Sequence, residues 1–458
     1  MKQFQSKYVY QYKLDHKYTL INNFLTGALD IVESDKWDNV IKSNEESVGT
    51  QPLSELTERG YFYSDEREET KLFKELYSSY TKKTHSHPVR FVFCPSYACN
   101  LACTYCFEKG LSDNPDKYMN IEKLTAATNT AEKIAAMSGK EIKSIELFGG
   151  EPLLKRTKPH IKKLINFSKK HNTTVTVVTN GVEAKHFSDM FLPIKKNIDM
   201  FQITIDGTKE IHDLRRKYPS SKGSFEDICS SIDILLGKGI NVNVRINIDR
   251  DNILNLPQFY EFICSKKWFD YKNFSVKPSI VKDHSTLEYK DPLMPEDTLL
   301  EKLIQIYDKY PELEEQFGFY MFKPLRHILD ILNGAPNVAP RFYNCESNLI
   351  ELNIFCPDGY IYTCPESIGH KEFAIGKFYP ELMFFEDRIN NWKMRNIIKM
   401  KECSNCPYGP ICGGGCAYSS ILVHGTYNKP VCERYKQVLD TFFRLRGKKI
   451  LKKFMQDN

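Results

Sequence analysis

The stretch Cys99-Asn100-Leu101-Ala102-Cys103-Thr104-Tyr105-Cys106 decides how the rest of the chain is read. Its cysteines are spaced four and then three residues apart. A loop with that spacing can fold three thiolates around one cubic [4Fe–4S] cluster and leave the fourth iron without a protein ligand. An open metal position is a reactive one, because a substrate or cofactor binds there directly. Three cysteines alone equally suit a zinc site or a few buried thiols, so the surroundings decide. Residues 87–95 (HPVRFVFCP) read as a buried strand running into the loop. Gly149-Gly150-Glu151-Pro152 follows a second apolar strand at 144–148, Thr179-Asn180-Gly181 closes a third at 175–178, and Thr204-Ile205-Asp206-Gly207 closes a fourth that begins at Met200.

The order of these motifs resembles the radical S-adenosylmethionine (SAM) superfamily, whose CxxxCxxC loop follows the first strand of a partial (β/α) barrel. The resemblance implies that Cys99, Cys103 and Cys106 hold a cluster whose open iron binds the amino and carboxylate groups of SAM. It further implies that an electron from the cluster cleaves SAM to a 5′-deoxyadenosyl radical. Between 88 and 290 strand-like and helix-like segments alternate through six repeats, the pattern of a parallel α/β sheet. Function in such sheets collects at the carboxyl ends of the strands, where all four motifs lie. The expected fold is therefore α/β: a partial (β/α)6 barrel at 86–290, a winged-helix-like domain at 1–85, a helical bridge at 291–344, a second cysteine-rich domain at 345–436 and a basic helix at 437–458.

Gly149 and Gly150 allow close approach of a ligand to the backbone, and the resemblance gives Gly150 and Glu151 a contact with the SAM amino group. It places Tyr105 near the adenine and Thr204, where the family usually has serine, at the ribose. Arg216 matches an arginine that reaches the SAM carboxylate, a role suited to a guanidinium fork; Arg215 is the alternative. Arg245 projects from a strand as a second pocket residue or as a surface charge.

Fourteen cysteines in a chain whose start lacks a secretion signal argue for metal and against a disulfide framework. Cys94, Cys99, Cys103 and Cys106 form one group; Cys345, Cys356, Cys364, Cys403, Cys406, Cys412, Cys416 and Cys432 form another. Cys229 and Cys264 stand alone in helix-like stretches and are expected to pack in the core. The second group, Cys345-x13-Gly359-x4-Cys364 followed by Cys403-x2-Cys406-x5-Cys412-x3-Cys416 and Cys432, resembles the SPASM domain. That resemblance implies two auxiliary [4Fe–4S] clusters, an outer one on Cys403, Cys406, Cys412 and Cys432 and an inner one on Cys345, Cys364 and Cys416. Ala339 stands where some members supply a fourth inner ligand, leaving Cys356 as the nearby candidate or the iron open. Pro357-Asp358-Gly359-Tyr360 reads as a turn between two strands, expected to bring Cys356 near Cys364. Zinc on the CxxC part is the alternative. Gly413-Gly414-Gly415 reads as a tight wrap around a cluster, since no strand precedes it and no Lys-Ser/Thr follows.

In the first domain, strands are expected at 8–14, 18–21 and 28–32, then helices at 35–42, 53–58 and 66–80. This order resembles the peptide-recognition domain at the front of many peptide-modifying radical SAM enzymes, which adds a leader peptide as a strand to a sheet edge; a plain packing cap is the alternative. The net charge of +6 over 458 residues with 41% hydrophobic content describes an ordinary globular chain with no like-charge block suited to nucleic acid and no membrane-spanning run. A cytoplasmic protein is expected. The implied partners are a precursor peptide with a leader segment and an electron donor such as flavodoxin or ferredoxin.

Two subclasses share this layout. Anaerobic sulfatase-maturating enzymes carry an aspartate base directly after the Gly-x4-Cys cysteine; here Pro365 stands there, then Glu366, a candidate base. The extra N-terminal domain also points toward a maturase of ribosomally made peptides that forms thioether or carbon–carbon crosslinks. A non-catalytic Fe–S or zinc scaffold is the reading from a different class, and the SAM-pocket motifs weigh against it.

Overall fold

A computed structural model describes residues 4–42, 51–85, 87–284, 293–335 and 338–457. The chain opens with a short ladder strand, β1 (Phe4–Gln5), and a three-stranded antiparallel sheet of β2 (Val9–Lys13), β3 (Tyr18–Asn23) and β4 (Leu29–Glu33). Helices α1 (Ser34–Lys42) and α2 (Gln51–Glu58) follow, then β5 (Phe62–Tyr63), which pairs with β1, and α3 (Glu66–His85). The three strands and three helices lie where the sequence places them. The β1–β5 ladder is an addition, too short for periodicity to reveal. Asp15 makes the turn before β3 by accepting from the Lys17 and Tyr18 amides (2.8 and 2.7 Å).

Six parallel strands then run in sequence order across one sheet: β6 (Val89–Phe93), β7 (Ile142–Leu147), β8 (Thr174–Thr179), β9 (Ile198–Thr204), β10 (Val242–Ile248) and β11 (Phe274–Ile280). The crossovers carry α4 (Ile121–Ser138), α5 (Lys158–His171), the short α6 (Ser188–Phe191), α7 (Lys209–Arg215), α8 (Phe225–Gly237) and α9 (Leu256–Ser265). Helix α4 starts where Asn120 accepts from the Lys123 amide and stops at Gly139 in the left-handed region. One face of the strands, with Phe91, Phe93, Leu147, Val177, Phe201, Ile203, Val244 and Ile246, packs under the helices in the main core. Period-2 alternation then turns Glu146, Thr176, Gln202, Thr204, Asn243, Arg245 and Asn247 to the opposite, concave face.

The sheet does not stop at β6. Strand β12 (Leu352–Phe355) pairs with it in parallel, Leu352 opposite Arg90 and Phe355 opposite Phe93, and β13 (Tyr360–Tyr362), β14 (Gly376–Lys377) and β15 (Met383–Phe384) extend one ten-stranded sheet. The expected boundary between barrel and cysteine-rich region is thus crossed by a continuous hydrogen-bond ladder. The expected boundaries near 86 and at 290/291 fall outside the described residues.

Helices α10 (Glu296–Lys309), α11 (Pro311–Phe317) and α12 (Lys323–Leu332) form the bridge. The C-terminal helix, Tyr435–Asp457, is more than the surface cap that its lysines suggest. Val438, Leu439, Phe442 and Phe443 are buried, Tyr10 and Tyr12 pack on Phe443, and Arg446 pairs with Asp308 and Glu314. Cys229 is buried as expected, but Cys264 is exposed: α9 buries Leu256, Phe259 and Ile263, and position 264 turns away from that stripe. Among the described residues no helix is long and apolar enough to cross a membrane.

Gly149 and Gly150 lie flat against the segment leading into the cysteine loop. A Cβ on Gly150 would stand 2.2 Å from the Tyr97 carbonyl oxygen, and one on Gly149 would stand 2.4 Å from Cys94 Sγ. Gly150→Ala is therefore expected to lower stability by about 1–3 kcal/mol through overpacking against rigid backbone, read from the denaturant midpoint.

Candidate functional site

The end of β6 delivers the cysteine loop to the carboxyl edge of the sheet, and each neighbouring strand end braces it. The Gly150 and Glu151 amides donate to the Ser96 and Ala98 carbonyls (both 3.0 Å). Asn180, after β8, donates to Asn100 Oδ1 (2.7 Å) and to Cys99 Sγ (3.6 Å), and the Leu101 amide points at the same sulfur (3.4 Å). Burial pushes the Cys99 thiol up to about 12 and Cys106 up to about 11. Such thiols ionise only against a strong local positive charge, which a bound iron–sulfur cluster supplies. The donor set fits that group: three unpaired thiols on one irregular loop, with amide donors aimed at sulfur.

Glu151 does not offer a free carboxylate to a ligand. It is 1% exposed; Oε1 accepts from the Leu153 amide (2.8 Å) and the Thr179 hydroxyl (2.6 Å), and Oε2 accepts from the Asn180 amide (2.7 Å). Its side chain bolts the β7 turn to the β8 turn. The close approach that Gly149 and Gly150 permit is to the chain's own Cys94–Ala98 segment, so only backbone groups of this turn remain for a ligand.

The adjacent arginines separate cleanly. Arg215 Nη1 takes both oxygens of Asp249 (2.7 and 2.9 Å), Nη2 donates to the Asn247 carbonyl (3.2 Å) and Nε to Asp206 (3.4 Å). Arg216 is buried, donates from Nη1 to the Tyr105 hydroxyl (2.7 Å) and keeps an Nε with no partner. Tyr105 in turn donates to Asp206 Oδ2 and accepts from Asn247 Nδ2 (3.1 Å). Asp206, fully buried, is a hub that the motif Thr204-Ile205-Asp206-Gly207 contained without revealing its role. Thr204 is half-buried on the concave face opposite Arg245 in the β9–β10 register. Arg245 is no surface charge: it donates to Asn247 Oδ1 and Ser279 Oγ (both 2.8 Å) on that face.

Glu366 stands toward this mouth with His284 Nε2 3.9 Å from its Oε1. Burial pushes its carboxyl up, and the charges of His284 and Arg245 pull it back. Glu108, absent from the sequence reading, is buried beside it and is pushed up to about 8 by burial and by the Glu366 and Glu151 carboxylates. Its position two residues after Cys106 is the sole signal that the sequence held.

The second array falls into two sets. Cys345, Cys364 and Cys416 feel one another's charge, and so do Cys403, Cys406 and Cys432, with Cys412 beside Cys403. Cys356 joins neither. In the β12–β13 hairpin, Cys356 pairs across the turn with Tyr360, while Cys364 lies at the open end beyond Tyr362, which faces Ile354. About four residues of strand, roughly 13 Å, separate the two levels. Cys356 instead packs with Cys94, Tyr97 and Tyr362, its thiol hydrogen-bonded to the Cys94 thiol. The expectation that it completes the inner set is corrected. Among the described residues no three His, Cys, Asp or Glu side chains close on a single metal-ion position; cubane thiols ligate separate irons and stand farther apart than those around one tetrahedral ion.

Arg395 was also missed. It is 1% exposed, donates to the Lys429 carbonyl (2.8 Å) and the Gly414 and Gly415 carbonyls (2.5 and 3.2 Å), and lies among Cys416, Cys403 and Cys412. It fixes Gly413-Gly414-Gly415, where three successive residues have positive φ and a Cβ on Gly415 would stand 1.9 Å from the Val431 carbonyl.

A six-stranded parallel unit with a three-cysteine loop after its first strand is the architecture of a radical SAM enzyme, and residues 93–263 match the radical SAM superfamily. Around that domain the chain is 28% identical over 364 residues to a cysteine-type anaerobic sulfatase-maturating enzyme of Clostridium novyi (75% of this chain, 91% of that protein). It is 24% identical over 334 residues to the mycofactocin maturase MftC of Mycobacterium tuberculosis (70% and 76%). In fold it resembles native anSMEcpe with bound AdoMet (TM-score 0.61, 19% identity, 81% of this chain and 100% of that one). It also resembles Streptococcus suis SuiB bound to precursor peptide SuiA (TM-score 0.54, 15% identity, 93% and 98%).

Arg215→Ala is expected to cost about 3–5 kcal/mol, because two buried carboxylates lose their counter-charge. Arg215→Lys restores little of it, having no fork for Asp249; denaturant unfolding checks both.

Proposed function

We propose that this protein is a peptide maturase that uses a SAM-derived radical to install a crosslink, a cysteine thioether, in a ribosomally made precursor. The observation that supports it most is the N-terminal sheet. Its order β2-β3-β4 leaves β4 without a neighbouring strand on its outer side among the described residues, where Arg59 donates to the outward Leu29 carbonyl (3.3 Å). The Asn23 amide bonds to the Ala28 carbonyl, so antiparallel alternation turns Ala28, Asp30 and Val32 toward β3 and sends the Leu29, Ile31 and Glu33 amides outward. A leader segment adding as a strand would meet that edge. The likeness to SuiB spans 93% of the chain, whereas that to anSMEcpe spans 81%.

In this reading Cys99, Cys103 and Cys106 hold the SAM cluster, Cys345, Cys364 and Cys416 an inner auxiliary cluster, and Cys403, Cys406, Cys412 and Cys432 an outer one. When bound, the first cluster and SAM supply a 5′-deoxyadenosyl radical that removes a hydrogen atom from the peptide. Arg216, with its unpartnered Nε, holds the SAM carboxylate, and Tyr105 and Thr204 border the nucleoside. Gly149 and Gly150 contribute backbone. Arg245 and Glu366 line the approach of the peptide, with Glu366 placed to take a proton. A flavodoxin- or ferredoxin-type donor supplies electrons. Sulfatase maturation is the second reading, favoured by the 28% identity to the Clostridium novyi enzyme; a sulfatase-derived peptide in place of a precursor peptide separates the two.

Three cubanes predict about twelve irons per chain, falling to about eight in the Cys99/Cys103/Cys106→Ala variant and unchanged in Cys356→Ala. Zinc in the second array sinks the auxiliary-cluster assignment. Under reduction with SAM, 5′-deoxyadenosine is expected from the parent protein, with a loss of at least tenfold in Arg216→Ala. Ile31→Pro removes one outward amide and no native ladder bond, so it is expected to weaken leader binding about tenfold while the iron content stays constant. Unchanged leader affinity in that variant rejects the β4 edge.

A further inference from the structure

A cavity of about 200 Å³ opens where the bridge meets the second cysteine array and the C-terminal helix. Helix α12 lines it with Lys323, Arg326, His327 and Asp330, the i, i+3, i+4, i+7 set of one helix face, and Arg341 and Tyr435 complete the wall. Phe24, from the loop after β3, packs edge-on against the His327 ring (5.5 Å).

Three cations line the cavity beside one carboxylate, Asp330, while Glu296 acts on Arg326 and Glu433 and Cys345 face Lys323 from just outside it. Lys323 donates to Asn344 Oδ1 (3.1 Å) and Arg326 from Nε to the Tyr320 carbonyl (2.8 Å), both neutral acceptors. Among the described residues neither these two nor Arg341 makes an ion pair within 4.0 Å. His327 is 7% exposed and its Nε2 has no hydrogen-bond partner. Burial and the Arg341 charge hold His327 down to about 4, and the same two causes hold Arg326 below the usual guanidinium range. Arg341 reaches solvent, but its repulsion falls on the buried His327 ring and the half-buried Arg326, where less water screens it. A buried donor or acceptor without a partner adds its own cost. An anion seated among these groups relieves both.

We propose that this cavity binds a small oxyanion carrying two or more negative charges, a phosphate or a di- or tricarboxylate, between Arg326, Arg341 and Lys323. The forked guanidinium groups suit paired oxygens, and Lys323 adds a point charge. The volume lies below the roughly 300–1,000 Å³ of sites for drug-sized ligands, which favours an inorganic or small organic anion over a nucleotide. Because α12 packs on the C-terminal helix and His327 on Phe24, an anion here ties the N-terminal unit to the bridge at a point removed from the SAM-cluster loop. The site stands on its own residues and does not depend on which peptide the enzyme modifies.

The test is anaerobic isothermal titration of the full-length, cluster-loaded protein with inorganic phosphate and, separately, with citrate, against sodium chloride at matched ionic strength. Saturable one-to-one binding of at least one of them at about 1 mM or tighter is expected. Arg341→Ala, at an exposed position, is expected to weaken it about tenfold. Asp330→Asn, which removes the one carboxylate lining the cavity, is expected to tighten it about threefold. Linear uptake without saturation, or affinities unmoved by both variants, overturns the proposal. The stronger of the two ligands identifies whether phosphate or carboxylate is the preferred head group.

Discussion

Strand β6 is paired in parallel on both sides, to β7 and to β12, and this double pairing holds the molecule's two cysteine regions in one frame. Parallel strands close on each other only when each is covered on both faces. β6 meets that demand with Phe93 stacked and Phe91 tilted on Phe355 on the helix side, and Val92 and Cys94 against Ile354 and Cys356 on the other. The cysteine loop leaves from the end of this strand. Its position is thus fixed by a central strand with neighbours on either hand, and the neighbouring β12 with its hairpin partner β13 lies between Cys345 and Cys364 of the second array. Parallel pairing of β6 with a strand some 260 residues later makes the barrel and the cysteine-rich region one sheet rather than two domains in contact.

Buried charge does the second part of the work. Glu151 spans two strand turns with one carboxylate, Asp206 and Asp249 are held by Arg215, and Arg395 gathers backbone carbonyls between two sets of thiols. Each is expensive to bury and tolerable only because its partners are in place. Such groups add little net stability compared with apolar packing, but they admit one geometry. That is what loops without regular hydrogen bonding require. Three charged braces, all near the carboxyl edge of the sheet or the cysteine sets, set the loops where strand pairing cannot reach them.

How much of this was legible depended on how local the cause was. Strands β6 to β11 announced themselves because each alternates or runs apolar over five to seven residues, and β7, β8 and β9 end in glycine-bearing turns. The cysteine sets were legible from spacing. What failed was inference across distance. Cys356 and Cys364 are near in sequence and share a hairpin, yet register puts one at the turn and the other at the open end. The partner of Cys356 is Cys94, brought beside it by a pairing that no local pattern encodes. Glu151 was given a ligand contact by the family resemblance of its Gly-Gly-Glu turn. Both of its oxygens are taken by donors from its own turn and from the next strand end. The C-terminal helix shows the converse: composition named the residue types, and the choice of buried face depended on packing against α10 and the N-terminal sheet.

The same geometry explains why the N-terminal unit is not a loose appendage. Tyr10 stacks on Phe24 and Phe443 and bonds to Asp440, Tyr8 reaches the Ser404 carbonyl beside Cys403, and Phe24 meets His327. Aromatic contacts of this kind carry directional preference as well as buried area, so the sheet is fixed in orientation as well as attached. The edge of β4 therefore keeps a constant direction relative to the strand ends that hold the cysteine loop. If a leader adds to that edge as proposed, the rest of its peptide would enter the concave face by a path set by the chain that links the two points. Reach and register, more than affinity at the mouth, would then decide which of its residues arrives beside Arg245 and Glu366.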